Sequence, residues 1–189
     1  MGQFIRQPSV KSGTVLLSEP FMWDSNFKRS AVLLCEHNEE GSLGFIMNKP
    51  LNMQVDELIG DFPEFDADVF FGGPVQTDTI HYIRNVGDLL EDSVKVAQGV
   101  YWGGDFDKLK FLIDTGLILP QNIRFFVGYS GWSGGQLLEE MGLGSWVVAP
   151  MDANYLFKSE PEYLWEKVMS NKGDTYSVIA QVPDNSSWN

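Results

Sequence analysis

The chain has 189 residues, of which 43% are hydrophobic and 13% aromatic, and this is enough to form a packed core in one ordinary domain. Its 26 acidic and 13 basic residues give a formal net charge of -13, which repels nucleic-acid phosphates and anionic membrane surfaces. We therefore expect one soluble domain that binds neither nucleic acid directly nor a membrane.

No segment is typical of membrane insertion or export. Apolar runs such as 32–35 and 146–150 are far shorter than the roughly 18 residues that a membrane span requires. Residues 1–11 are followed by neither a signal-peptide core nor a cleavage site. The single cysteine, Cys35, has no partner for an internal disulfide, as is usual in a reducing compartment. The predicted location is the cytoplasm.

Short strands joined by turns dominate the predicted elements of the first half. Residues 1–12 are expected to be flexible, and a strand over 14–17 follows them. Two runs rich in β-forming residues, 30–38 and 43–50, are separated by Glu-Glu-Gly-Ser, which predicts a hairpin that Pro50 ends. The remaining elements predicted here are a short helix at 55–59, a strand at 68–75 that ends in a Gly-Gly-Pro turn, and a strand at 80–86.

The second half mixes helices with strands. Asp105 is predicted to cap a helix whose apolar residues recur at helical spacing and that Gly116 ends. The other predicted elements are a strand at 123–129, a glycine loop to 135, a helix at 136–141, a strand at 145–150, a helix at 159–170 with Ser159 as its cap, a strand at 176–182 and a frayed tail at 183–189. Because short turns join the early strands, we predict a mixed α/β (α+β) fold. It has one largely antiparallel, strongly bent sheet in a single domain over 13–182.

The glycine loop contains the string G-x-S-x-G, Gly131 to Gly135, which surrounds the nucleophilic serine of many hydrolases. In α/β-hydrolases the catalytic histidine follows that serine along the chain. Here the two histidines, His37 and His81, both precede Ser133. That fold is therefore excluded, and Ser133 stays a candidate nucleophile only in a different arrangement.

A phosphate-binding loop is also disfavoured. Such a loop requires a lysine and a hydroxyl residue after its last glycine, and Gln136 and Leu137 stand there instead. Two interpretations remain. The glycines form a turn that requires their backbone freedom, which we favour, or they present N–H groups at a helix N-terminus to a ligand.

Cys35 and His37 are two residues apart on a predicted strand, so we expect their side chains to share a face about 7 Å apart. An imidazole close to the thiol would make Cys35 a candidate nucleophile or redox sensor. Alternatively, Cys35 is a small buried hydrophobic residue. Together with His81 these residues are too few for a structural zinc site, which normally has four protein ligands. We predict no metal and no cofactor.

Three motifs carry a resemblance to a known family: FKRSAVLLCEHNEEGSLGFIMNKP, FFGGPV and GYSGWSGGQLLEEMGLGSWVVAP, in this order. Between about residues 13 and 165 the chain resembles the AlgH/YqgE family of uncharacterised bacterial proteins. Gly134 and Leu138 depart from the residues expected in that family. The matching residues are Arg29, Ser30, Glu36, His37, Asn38, Gly41, Gly44, Asn48, Lys49, Pro50, Gly72, Gly73, Pro74, Gly128, Tyr129, Trp132, Gly135, Gln136, Leu137, Glu140 and Trp146.

The resemblance implies a compact α/β fold with a bent, bifurcated sheet that forms a pseudo-barrel with flanking helices. It implies no established enzymatic activity. The family name comes from a proposed role in the regulation of alginate production, and this name implies a transcriptional role. Because the chain is acidic and shows no helix-turn-helix pattern, regulation through a protein or small-molecule partner is favoured.

These observations lead to two hypotheses. The first is a non-enzymatic binding or regulatory protein with a pocket built from residues 36–50, the Gly-Gly-Pro turn and residues 128–137. The second is a hydrolase, a thiol-dependent enzyme or a redox sensor that uses Ser133 or Cys35. The identity of the ligand or partner and the oligomeric state stay open. The candidate ligand-binding residues are His37, Asn48, Gly72, Gly73, Tyr129, Trp132 and Gln136.

Overall fold

The computed structural model describes residues 9–87 and 89–184. In that part of the chain the strands are β1 Thr14–Ser18, β2 Ala31–Asn38, β3 Gly41–Ile46, β4 Pro50–Gln54, β5 Asp68–Phe71, β6 Val75–Arg84, β7 Ser93–Ala97, β8 Val100–Gly103, β9 Ile123–Ser133 and β10 Trp146–Pro150. The helices are α1 Val55–Leu58, α2 Phe106–Asp114, α3 Gln136–Gly142, α4 Asn154–Phe157, α5 Leu164–Asn171 and α6 Asp174–Ala180, with short 3-10 helices at Pro120–Asn122 and Pro161–Tyr163.

The strands form one curled sheet in the order β10-β1-β2-β3-β9-β6-β8-β7, and β5 and β4 branch from it. Every pairing is antiparallel except that between β5 and β9. The mixed α/β fold with a largely antiparallel, bent and bifurcated sheet is therefore confirmed.

The sheet branches at β9. On one edge, the first part of β9 pairs in parallel with β5, at Phe125 to Val127. On the same edge, the last part of β9 pairs with β3, from Ser130 to Ser133. The other edge pairs with β6. The two branches therefore separate near Gly128, and the β2–β3 hairpin lies beside the end of β9.

Helices cover the curled sheet and create three apolar clusters. The first packs α5 and α6 against β1, β2 and β3, with Trp165 and Phe45 buried within it. The second places α2 over β5 and β9 around Phe125. The third lies under α3 around Trp132 and Trp146. None of the described helices has the length and apolarity that a membrane span requires.

The strand predicted at 176–182 is wrong, because this segment forms α6. Tyr176, Ile179 and Ala180 all pack against the first cluster, and their spacing of three and four residues is that of one helix face. Val178, a β-branched residue, is exposed. Packing of this face therefore outweighs the β propensity of the segment.

The predicted end of the strand at Tyr129 is also wrong. β9 continues to Ser133, so most of the G-x-S-x-G string is strand and the turn is confined to Gly134 and Gly135. Gly131 and Ser133 are exposed, whereas Ser130 and Trp132 are buried. This alternation is that of a strand with one covered face.

Other boundaries differ for local reasons. Pro50 begins the edge strand β4 rather than only ending its predecessor, a position that tolerates its missing N–H group. Ser159 does not cap a helix, since its hydroxyl donates to the carbonyl of Tyr155 and a 3-10 helix starts at Pro161. Asp105 does cap α2, accepting from the Lys108 N–H at 2.9 Å. The β7–β8 hairpin was not predicted.

The predicted flexible termini fall largely outside the described residues. Residues 1–8 and 185–189 are not described. Val10 packs against the third cluster, and Lys28 forms an ion pair with Asp184 at 2.6 Å. The described parts of both end segments are therefore in contact with the domain.

Candidate functional site: two clefts at the tip of the β2–β3 hairpin

The tip of the β2–β3 hairpin is a tight turn held against β9. Asn38 pairs with Gly41 across the hairpin, and the Asn38 side chain accepts from the Glu40 N–H at 2.9 Å. A Cβ on Gly41 would lie 2.5 Å from the Trp132 carbonyl oxygen, so only glycine allows this approach. The turn therefore fixes Glu39 and Glu40 at the surface beside the end of β9.

A first cleft, which we call the tip cleft, opens between the hairpin tip and the strands behind it. It has a volume of about 420 Å³. Three separate segments meet in it: the hairpin from Glu36 to Leu43, Val75 directly after the Gly-Gly-Pro turn, and the stretch of β9 from Tyr129 to Trp132. Its lining combines carboxylates with apolar side chains.

A second cleft, which we call the helix cleft, lies on the other side of the hairpin, against α3. It has a volume of about 410 Å³. Asn38 and Ser42 line both clefts, so the hairpin tip is the wall between them. His37 and Glu39 line the helix cleft from the hairpin, and Gly135, Leu137 and Leu138 line it from the start of α3.

Tyr129 is a half-buried wall of the tip cleft. The Tyr129 ring packs edge-to-face against the His81 ring, with ring centroids 5.9 Å apart. The His81 Nε2 and the Thr79 hydroxyl are 3.1 Å apart, and burial lowers the pKa of His81. A neutral imidazole therefore backs the phenol ring.

Trp132 also borders the tip cleft, but its indole belongs mainly to the core. It packs edge-on against Trp146, with ring centroids 5.7 Å apart, and lies beside Phe27. Burial raises the pKa of the Glu140 carboxyl, and the two indoles, which lie close to it, act in the opposite direction. Trp132 thus ties β9 to α3 and β10.

Cys35 and His37 do not share a face, contrary to the prediction. The β2–β3 register shifts between Leu34 and Glu36, and this extra residue reverses the alternation of side chains after Cys35. Cys35 packs in the first cluster. His37 instead pairs with Ser42, whose hydroxyl lies 2.6 Å from the His37 Nδ1.

Among the described residues, neither candidate nucleophile has an activating base. Cys35 is buried, and burial together with the Glu36 carboxylate raises the pKa of its thiol. The Ser133 hydroxyl and N–H group both interact with the Gln136 side-chain oxygen, at 3.2 and 3.0 Å. Gln136 therefore closes the turn into α3, and the imidazole of His37 contacts Ser42 rather than Ser133.

Asn48 lies at the opposite end of the hairpin from the tip. Its side-chain oxygen accepts from the Ala31 N–H at 3.0 Å, and its amide nitrogen donates to the Arg29 carbonyl at 2.9 Å. Arg29 has a φ of +46°, which is uncommon for a residue with a Cβ. The Asn48 amide therefore holds an unusual backbone turn at the start of β2.

Substitution of Asn48 by alanine is expected to lower the free energy of unfolding by about 2 kcal/mol, because it leaves two backbone groups without their partner. Urea unfolding followed by circular dichroism measures this value. Asn171→Ala is the comparison, since Asn171 donates one hydrogen bond to a tyrosine hydroxyl and should cost about 1 kcal/mol. If both substitutions lowered the free energy of unfolding by the same negligible amount, the role of Asn48 would be contradicted.

Gly72 and Gly73 form the branch point of the sheet rather than a cleft wall. The Gly72 carbonyl accepts from the Ile46 N–H at 2.9 Å and from the buried hydroxyl of Ser130 at 3.0 Å. A Cβ on Gly72 would lie 2.4 Å from the Gly128 carbonyl oxygen. These contacts join β3, β5 and β9 at one place.

The chain matches the AlgH-like family over residues 15–177. It belongs to this family. It is 44% identical over 175 residues to the UPF0301 protein of Chlorobaculum parvum, covering 93% of this chain and 94% of that relative. It is 45% identical over 175 residues to the UPF0301 protein of Chlorobaculum tepidum, with the same coverage of both chains.

Two solved structures are similar to the AlgH-like fold seen here. The solution structure of the AlgH protein from Pseudomonas aeruginosa has a TM-score of 0.73 and 28% identity, covering 95% of this chain and 98% of that one. The crystal structure of protein DIP2367 from Corynebacterium diphtheriae has a TM-score of 0.79 and 20% identity, covering 94% and 95%. The second likeness concerns the fold alone.

Within the AlgH-like domain, the sequence-predicted residues fall into three places. Tyr129 and Trp132 line the tip cleft and His37 lines the helix cleft. Asn48, Gly72, Gly73 and Gln136 line neither cleft. Among the described residues, no group of three His, Cys, Asp or Glu side chains is positioned to hold a metal ion.

Glu36, Glu40 and Ser42 lie within the predicted pocket segment 36–50, but neither they nor Val75 were among the candidate ligand-binding residues. The hairpin register was the signal that could have found the first three. Once Asn38 is paired with Gly41, His37 must oppose Ser42 and the two glutamates flank the tip. Val75 could be assigned to the cleft only from the strand order of the sheet, because it meets Tyr129 through the pairing of β6 with β9.

Proposed function

We propose that this chain is a cytoplasmic, non-enzymatic binding protein of the AlgH-like family that acts in regulation through a ligand held in the tip cleft. The observation that carries the proposal is the meeting of three distant segments in one cleft: the hairpin tip, the residue after the Gly-Gly-Pro turn and the end of β9. A concave site with an apolar wall and a few convergent polar groups is typical of ligand binding.

The lining of the tip cleft favours a ligand that donates hydrogen bonds or carries a positive charge. Glu36, Asn38 and Glu40 supply oxygen acceptors, and no lysine or arginine is among the described residues that line the cleft. Val75 and Tyr129 offer an apolar surface for a flat group. A small aromatic cation such as an amidine fits both requirements, because carboxylates bind such cations through charge-assisted hydrogen bonds.

Several contacts support a non-enzymatic role. Activation of a nucleophile requires a base within hydrogen-bond reach or a lowered pKa. The thiol of Cys35 has the opposite shift, since burial raises its pKa. Ser133 interacts with an amide oxygen, which does not take a proton. Neither of these two residues lines the tip cleft, whose oxygen acceptors and apolar walls are suited to recognition.

Blocking the tip cleft tests the proposal. Gly131 is exposed and lines the cleft, and its added Cβ would lie 3.3 Å from the Tyr129 ring, so Gly131→Leu fills space without a backbone clash. Ligand-observed NMR should show that benzamidine binds the unaltered chain whereas benzoate, its anionic match, does not. Gly131→Leu should weaken benzamidine binding at least about tenfold, a change of about 1.4 kcal/mol.

Gly60→Leu is the matched control for this experiment. A Cβ on Gly60 meets nothing within 4 Å, and the residue lies outside both clefts. This variant should bind benzamidine as the unaltered chain does. If benzamidine and benzoate bind equally, or if Gly131→Leu binds as well as Gly60→Leu, the tip cleft is not the site.

A further inference from the structure

A second surface next to the proposed ligand site exposes large apolar side chains. Leu138 in α3 is 57% exposed, Leu143 directly after α3 is 78% exposed, and Trp23 in the loop between β1 and β2 is 98% exposed. Single exposed apolar residues are ordinary, but a group of them in one region is typical of an interaction site.

The loop that carries Trp23 lies alongside α3. Met22 and Phe27, on either side of Trp23, pack in the same cluster as Met141 and Leu137 of the helix. The Asp24 carboxylate is also close enough to Glu140 to act on its ionisation. The loop that carries Trp23 therefore lies beside α3, and we call the exposed apolar side chains of this loop, of α3 and of the residue after it the apolar ridge (Trp23, Leu138 and Leu143).

The apolar ridge continues into the helix cleft, because Leu138 belongs to both. Beside Leu138, the inner wall of this cleft is Leu137, which is 1% exposed. An apolar side chain from a partner can enter such a cleft and bury Leu138, which removes apolar surface from water. The helix cleft and the apolar ridge together form a groove, and Leu138 is the position at which a partner side chain anchors in it.

Carboxylates lie at and near this groove: Glu39 lines the helix cleft, Glu139 follows Leu138 on α3, and Glu36 and Glu40 lie on the tip-cleft side of the hairpin. Glu36, Glu39 and Glu40 are exposed on the hairpin, and Glu139 is exposed on α3. Among the described residues, no lysine, arginine or histidine pairs with any of these four, since the ion pairs are Lys28–Asp184, Lys108–Glu91 and Lys110–Asp107. The groove is therefore apolar at its centre and negative at its rim.

We propose that the helix cleft and the apolar ridge dock a basic, amphipathic helical segment of a partner protein. Its apolar face packs on Leu138, Leu143 and Trp23, and its lysine or arginine side chains meet the glutamates of the rim. This site goes beyond the ligand of the tip cleft, from which the hairpin tip separates it.

The charge of the surface selects this occupant. A second copy of the chain would bring its own carboxylates against the same rim, in a protein whose net charge is -13, and like charges brought together in an interface disfavour binding. An anionic membrane surface would meet the same repulsion. A basic helix brings both the complementary charge and the apolar face that the groove requires.

The probe is a fluorescein-labelled peptide of leucine and lysine arranged as an amphipathic helix, compared with a scrambled peptide of the same composition. Fluorescence anisotropy with the full chain should give at least about tenfold tighter binding for the amphipathic peptide, or about 1.4 kcal/mol. Raising the salt concentration should weaken that binding, because the rim carboxylates are exposed to solvent.

Matched variants separate the contribution of apolar contacts to peptide binding from the contribution of charge. Leu138→Ser should weaken binding at least about fivefold, whereas Leu117→Ser, at a leucine that is 58% exposed on another surface, should leave it unchanged. The pair Glu39→Gln and Glu139→Gln should weaken binding and reduce its salt dependence. The pair Glu64→Gln and Glu162→Gln, exposed residues outside both clefts, should change neither.

Equal affinity for the two peptides, or equal loss in the matched variants, would show charge attraction alone and overturn the proposal. So would the absence of binding. A dimer of the free chain that Leu138→Ser dissociates in sedimentation velocity would make a second copy the occupant instead. Gly131→Leu should keep its affinity for the peptide, so this result is independent of the benzamidine test.

Discussion

Replacing Gly73 with alanine is expected to lower the free energy of unfolding by about 3–4 kcal/mol, at the upper end of single-residue effects. An added Cβ would lie 2.2 Å from the carbonyl carbon and oxygen of Tyr129, and Gly73 has a φ of +156°, where a Cβ is disfavoured. The neighbouring backbone has little room to move, because Gly72 is hydrogen-bonded to Ile46 and Val127.

The same substitution should also widen the tip cleft. Val75 reaches this cleft because it pairs with Tyr129 just after the Gly-Gly-Pro turn. Displacing Gly73 from Tyr129 moves both cleft walls apart, so the variant should lose benzamidine binding in addition to stability. Urea unfolding and ligand-observed NMR on the folded fraction measure the two effects.

Gly60→Ala is the control for the stability measurement. Gly60 has no positive φ, and its Cβ would meet nothing within 4 Å, so the change should stay within about 0.5 kcal/mol. If Gly73→Ala unfolded at the same urea concentration as Gly60→Ala, this result would contradict the close contact between the β5–β6 turn and the backbone of β9.

The thiol of Cys35 is expected to react with iodoacetamide at least about a thousandfold more slowly in the folded chain than in concentrated urea. The side chain is 4% exposed within the first cluster. Burial and the Glu36 carboxylate both raise the pKa of the thiol, so little of the reactive thiolate is present at neutral pH. Alkylation followed by mass spectrometry gives both rates.

Ser133→Cys supplies an internal comparison in the same molecule. Ser133 is exposed at the end of β9, so the introduced thiol should react at about the rate of an unstructured peptide. Fast labelling of Cys35 in that variant, at a rate close to that of the introduced thiol, would restore the redox-sensor hypothesis and contradict its burial.

Sequence patterns predicted the elements that depend on local chemistry. The β2–β3 hairpin follows from β-forming runs around a short polar turn, and α2 follows from its Asp105 cap and apolar spacing. The end of β9 and the helix α6 were misassigned because tertiary contacts decide them. β3 extends the pairing of β9 to Ser133, and the first cluster buries one face of α6.

In the candidate site, too, the local sequence predicted some features and tertiary contacts decided the others. The three motifs identified the segments that meet in the tip cleft, but not all of the residues that line it. A one-residue register shift at Cys35 separates its thiol from His37, and no feature of the local sequence marks that shift. Gly72 and Gly73 looked like ligand contacts because glycine serves close backbone packing and ligand approach equally well.

The most direct test of the account is a map of the amide NMR shifts that benzamidine causes in the unaltered chain. We expect shifts centred on residues 36–43, Val75 and residues 129–132, and their loss in Gly131→Leu. Shifts centred instead on the cleft beside Arg29 and Gln181, which has a volume of about 490 Å³, or shifts that persist in Gly131→Leu, would contradict it.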